Sequence, residues 1–214
     1  MKLILSALLL ALPTMLTPLT AEEKAKPVVL FDGKTFDGWD GDTEKTWKIE
    51  DGVIVGGSLD TTVPRNEFLC TKKTYGDFEL KVTFKLVGEK NMNAGVQFRT
   101  KRIPNHHEVI GYQADVGQDY WGALYDESRR KKVLAKPDPK VLEKLIKHDD
   151  WNEYVIRCEG PKIKLTLNGT VTVDYTEEDD KIERTGIIGL QIHGGAKAKV
   201  FYKNITIEEL PAKK

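Results

Sequence analysis

The sequence predicts an all-β fold, a two-sheet antiparallel sandwich or jelly roll, on three observations. About ten short segments alternate apolar with polar residues at the strand period. Two dipeptides with strong hairpin preference, Asp51-Gly52 and Asn168-Gly169, sit between such segments. Only "KVLEKLIK" (140–147) has helical spacing, in the charged insertion 126–150, so the helical crossovers that parallel strands require are missing.

Taken in order, Met1-Lys2, the apolar run "LILSALLLAL" and the ending "PLTA" form the basic, apolar and small-residue pattern of a secretory signal peptide, residues 1–21. The run is short and bounded by proline for a membrane span. An uncleaved anchor is the weaker reading, and no Cys follows the run to support a lipoprotein anchor. The expectation is a secreted or periplasmic protein with no membrane span after cleavage. Residues 22–27 read as a linker and 28–210 as one β-sandwich domain.

"WKIEDGVIVGG" (47–57) is a hairpin around Asp51-Gly52. "FELKVTFKL" (78–86) puts Phe78, Leu80, Val82, Phe84 and Leu86 on one face and Glu79, Lys81, Thr83 and Lys85 on the other. "EYVIRCEG", "KIKLTLNGTVTVDY", "GIIGLQIHG" and "KVFYKNITIEEL" complete the strands. Cys70 and Cys158 both lie in alternating segments, which suits either a disulfide in an exported protein or two buried thiols. With 33 basic and 33 acidic residues, the chain lacks the basic excess that nucleic acid or an anionic membrane demands of a partner.

Three strands carry unusual polar faces. Gln97 and Arg99 oppose Ala94, Val96 and Phe98. Gln113 and Asp115 oppose Tyr112, Ala114 and Val116. Gln191 and His193 oppose Leu190 and Ile192. If these strands share a sheet, amide, acid, cation and imidazole meet in one hydrogen-bonding floor. Trp121 and Tyr125 are candidates to stack on a sugar ring, and Glu67 is a further candidate from a neighbouring strand. The basic run "ESRRKK" (127–132) is either a solvated loop or a lid over the floor. His106-His107 reads as a surface pair, with a role at the rim of the site left open. HExxH, GxSxG and phosphate-loop patterns do not occur, and an Asp, His and Glu site drawn from separate strands stays open.

The ordered set "VVLFDGKTFDGWDG", "NAGVQFRT", "GYQADVG", "WGALYDE" and "GIIGLQIHGGAKAKVFYKNITIEEL" resembles the 3-keto-disaccharide hydrolase family, over about residues 28–210. The resemblance implies a concanavalin A-like jelly roll with its site on the concave sheet. It also implies a carbohydrate substrate already oxidised at C3. The family's recurrent site positions fall on Gly95–Arg99, Gln113–Asp115 and Gln191–His193. Some relatives use a divalent metal, which leaves one as the candidate cofactor. Many members carry an acid just ahead of the Gln; Gly111-Tyr112 stands there in this chain.

The chemistry so implied is removal of the C2 proton, expulsion of the C1 substituent and addition of water. His193 is the expected base, Arg99 or a metal the enolate holder, and Asp115 the residue that orients His193, acts as acid or binds the metal. Gln97, Gln113 and Gln191 would grip the sugar hydroxyls. The rivals are a non-catalytic, lectin-like carbohydrate-binding module and, more weakly, a purely structural surface domain.

Overall fold

A computed structural model describes residues 26–212. The segment read as a signal peptide and most of the 22–27 linker lie outside the described residues. The elements run β1 (Val28–Val29), β2 (Trp39–Asp40), β3 (Trp47–Glu50), β4 (Val53–Ser58), β5 (Glu67–Thr71), β6 (Phe78–Gly88), β7 (Asn93–Arg102) and β8 (Val109–Gly117). After a 3-10 turn at Gln118–Tyr120 come β9 (Leu124–Glu127), β10 (Lys132–Ala135), the single helix α1 (Pro139–Leu145), β11 (Asn152–Glu159), β12 (Lys162–Leu167), β13 (Thr170–Thr176), β14 (Ile187–Ile192) and β15 (Ala198–Glu209).

Two antiparallel sheets result. One runs β13-β12-β11-β6-β15-β4-β3, with β1 on β15; the other runs β10-β9-β8-β7-β14-β5-β2. Both hairpin turns form where the dipeptides require them. Asp51 and Gly52 have φ of 50° and 77°, and Asn168 and Gly169 have 47° and 82°, the positive pair of a type I′ turn.

The alternation read from the sequence sets the core. Phe78, Leu80, Val82, Phe84 and Leu86 of β6 are buried against Ala94, Val96 and Phe98 of β7 and Tyr112, Ala114 and Val116 of β8. The three strands with polar faces are consecutive, β8-β7-β14. Two core tyrosines of the opposite sheet hold them from behind. Tyr154 donates to the Asp115 carbonyl at 2.5 Å, and Tyr202 contacts the carbonyls of Gly95 and Gln191 at 2.9 and 2.8 Å. Burial raises the pKa of both hydroxyls, which stay protonated as donors.

The insertion does not form a lid. Asp138 caps α1 by accepting from the Lys140 amide, and Leu142, Leu145 and Ile146 pack on the edge of the core. Arg129 and Arg130 turn toward the acids Asp126 and Glu177 rather than over the polar floor. Cys70 and Cys158 are both free and buried. They belong to different clusters: Cys158 to the main core, and Cys70 to a small outer cluster with Phe68 and Val109.

Candidate functional site

Strand register lays out the floor in rows. Gln191, Gly95 and Asp115 stand side by side on β14, β7 and β8; the next row is Gly189, Gln97, Gln113 and Tyr125, reaching β9. A pocket of about 190 Å³ opens on this face. Gln113, Asp115, Tyr125, Glu127, His193 and Asn93 are among its walls.

A hydrogen-bond chain runs through the floor in one direction. Thr100 Oγ1 donates to Gln97 Oε1 at 3.1 Å, Gln97 Nε2 to Gln113 Oε1 at 2.5 Å, and Gln113 Nε2 to Asp115 Oδ2 at 3.1 Å. Asn93 Nδ2 and the Val116 amide donate to Asp115 Oδ1 at 2.7 and 3.0 Å. The chain needs a glycine beneath it, because a Cβ on Gly95 would stand 2.5 Å from Gln113 Cδ.

Burial pushes Asp115 up to about 7; the donors Asn93, Gln113 and Val116 oppose the rise, and the nearby Glu127 charge adds to it. Glu127 is also pushed up to about 7, first by burial and then by the charge of Glu108, with the Ser128 amide and Lys131 pulling the other way. Glu108 is itself fixed by Asn66 Nδ2 at 3.1 Å and His107 Nε2 at 3.4 Å. His193 Nδ1 lies 2.7 Å from the Gly194 carbonyl. A carbonyl only accepts, so Nδ1 carries the proton and Nε2 is left as the acceptor of the neutral ring. Asp115 and His193 therefore bond different partners, and the expected orienting contact between them does not form among the described residues. Tyr120 packs edge-on to Tyr125 at 6.3 Å and adds an aromatic wall.

The structure brings His193, Asp115, Gln113 and Tyr125 to the pocket, with Gln97 fully buried behind Gln113. Four other expected residues do not line it. Arg99 falls in a break of register between Phe98 and Lys101, with φ 44°, so simple alternation fails there. Its guanidinium turns to Asp77 at 2.8 Å and to the Gly160 carbonyl at 2.7 Å, which removes it as the enolate holder. Glu67 shares the parity of core-facing Leu69 and pairs with Arg65 at 2.7 Å. Trp121 follows the 3-10 turn into the core, where its ring packs 6.3 Å from Phe84. Gln191 is fully buried between Phe68 and Gly95, with neither side-chain polar atom hydrogen-bonded.

Sequence reasoning missed Glu127, Asn93 and Asn66. Glu127 was read with the basic run that follows it, although its spacing from Tyr125 puts both on one face. Asn93 shares the parity of Gly95 and Gln97. Asn66 precedes β5 and carries no periodic signal. Among the described residues, no three His, Cys, Asp or Glu side chains are grouped to hold a metal ion. Without such a group the described residues do not make up the ligand set of a divalent cation.

The model of the 3-keto-alpha-glucoside-1,2-lyase-like domain matches residues 26–208. The chain belongs to this family. Solved structures similar to it are those of carbohydrate-related proteins and of a galectin-like fold. A candidate glycosyl hydrolase from Parabacteroides distasonis ATCC 8503 is 24% identical with a TM-score of 0.65, over 86% of this chain and 94% of that one. The carbohydrate-binding module CBM66 from Bacillus subtilis is 19% identical with a TM-score of 0.60, over 80% and 96%. A Bacillus subtilis protein of unknown function with a galectin-like fold reaches a TM-score of 0.67 at 11% identity, over 90% and 99%. At these identities the likeness establishes the jelly-roll fold alone. No curated protein matches the chain. Membership in the family of 3-keto-alpha-glucoside-1,2-lyase-like domains, together with a polar pocket on the β8-β7-β14 floor, makes the chain carbohydrate-related.

Proposed function

We propose that this chain cleaves 3-keto-glycosides or 3-keto-disaccharides by C2 proton abstraction and release of the C1 substituent. The observation that carries the reading is the convergence of Glu127, Tyr125 and His193 on one pocket, beside an Asp115 whose side-chain donors are neutral amides. A ketone at C3 acidifies the C2 proton. His193 Nε2 takes that proton, the enolate oxygen receives the hydrogen bond of Tyr125, and the C1–O bond breaks as Glu127 protonates the departing oxygen. Water then adds to C1 as Glu127 takes its proton, and His193 returns a proton to C2, so both groups are restored and the sum is hydrolysis. Burial, followed by the charges around it, raises Tyr125, which keeps its hydroxyl a donor. Asp115 and its amides fix the sugar hydroxyls. The pattern of residues 1–21 supports an exported setting, in the periplasm or outside the cell.

The test is incubation of the purified chain with methyl 3-keto-glucoside in deuterated water, with and without chelator. Deuterium entering C2 and release of methanol are expected, and both stop in His193→Ala. Full turnover by that variant removes the base assignment. The second reading is a binding module, a role that the Bacillus subtilis CBM66 carries on the same fold. Binding of intact glycans without turnover of any keto-sugar selects it.

A further inference from the structure

Beside the pocket, on the far side of Gln118, lies a groove that the proposed chemistry leaves unused. It has two lobes, of about 470 Å³ and about 650 Å³, which share Gln118, Asp119, Trp121 and His148. Gln118 also walls the pocket, so pocket and groove adjoin along one residue. Gln118 Nε2 donates to the Asn91 carbonyl at 2.5 Å, and Gly117 and Gln118 are both left-handed, with φ of 103° and 46°.

The two cavities differ in chemistry. The pocket presents amides, acids and an imidazole. The groove is walled by Trp121, 6% exposed, with Pro137, Leu142, Ile146 and Met92. Its charges, Lys90 and Lys136 against Asp119 and Glu143, are of both signs. His148 stands edge-on to the Trp121 ring at 5.9 Å and 79°, an aromatic notch with space beside it. The pocket holds little more than one sugar ring, so a C1 substituent must sit outside it, and the groove is the adjoining space. Polar groups, Gln118, Asn91 and the four charges, stand in its walls too, but the adjoining faces of Trp121, Pro137, Leu142 and Ile146 give a continuous carbon surface that suits an aryl group.

We infer that the groove beside Trp121 receives the C1 substituent of the substrate, and that this substituent is an apolar, aromatic aglycone. The inference rests on the proposed cleavage of keto-sugars in the pocket. Three substrates separate the two claims: methyl 3-keto-glucoside, its phenyl counterpart of the same anomeric form, and a 3-keto-disaccharide. The phenyl compound is expected to show a KM lower than methyl by about 10-fold or more. His148→Ala, at an exposed position, and Leu142→Ser should each erase about 3- to 10-fold of that advantage while leaving methyl kcat/KM unchanged. A phenyl compound no better than methyl, a disaccharide better than phenyl, or variants that shift all three alike would overturn the aglycone assignment while the pocket reading stands. If methyl 3-keto-glucoside is neither bound nor cleaved, the pocket reading fails and takes this inference with it.

Discussion

Asp126 and Glu127 are consecutive on β9, and alternation sends one to each side of the sheet. On the core side, fully buried Asp126 pairs with Arg129 at 2.8 Å and with Arg130, which continues to Glu177 at 2.6 Å. Tyr112 donates to Glu177 at 2.6 Å, beneath the Arg129 guanidinium. On the pocket side, Glu127 meets Glu108 and Asp115 and has no ion-pair partner among the described residues. Burial raises Glu177, yet Arg130 and Tyr112 outweigh it and hold the carboxyl at about 2, whereas Glu127 rises to about 7. One strand thus supplies an acid that ties the sandwich shut and an acid with no ion-pair partner among the described residues. The partner, more than the residue type, decides which.

The largest expected effect is on rate. Glu127→Gln should lower kcat by about 10²- to 10⁴-fold on a 3-keto-glucoside, with the unfolding midpoint unchanged or raised. A variant that unfolds instead would make Glu127 structural like its neighbour and erase the contrast. On the other side, Arg130→Ala strands two acids at the core edge. It should cost about 2–4 kcal/mol in denaturant unfolding while kcat holds within about twofold; an equal loss of rate would tie the clasp to the chemistry.

The pH dependence of stability carries opposite signs. Asp115 and Glu127 have folded values raised to about 7, so what they contribute is complete below about 4 and is lost as pH rises through about 7. Glu177 has a lowered value, so its contribution is present above about 4.5 and is lost as pH falls toward about 2. Between pH 5 and 8, Asp115→Asn should flatten the fall in unfolding free energy by about 1–3 kcal/mol. An unchanged slope would mean that Asp115 is not the buried group that ionises. Because Asp115 and Glu127 feel each other's charge, the alkaline limb of activity belongs to the pair. The smallest effect is Tyr112→Phe, about 1 kcal/mol, read by thermal unfolding and expected to leave the rate alone.

The sandwich was legible because alternation is obeyed wherever both sheets are regular. Phe78 to Leu86, and Tyr112, Ala114 and Val116, fall where the period puts them. The floor of Gln97, Gln113 and Asp115 came from the same rule. Arg99 shows its limit, since a break in register re-aims a side chain without leaving a mark in composition. Glu67 and Trp121 failed at strand ends and turns, where a face is not set by period. Glu127 was hidden by its charged neighbours in "ESRRKK", although Arg129 and Arg130 go to the opposite side of the sheet. Asn66 acts through a loop contact with Glu108, forty-two residues away, which no local pattern encodes.

The one-way row from Thr100 through Gln97 and Gln113 to Asp115 acts as a fragment of frozen solvent. Its dipoles are ordered like a hydration shell, with every positive end toward the carboxylate, and it carries no net charge of its own. A lysine in that place would have cancelled the acid's charge and held it ionised across the neutral range. Amides solvate the carboxylate without cancelling its charge, so below about pH 7 the site can stand neutral, and above it the uncompensated anion repels an anionic glycan.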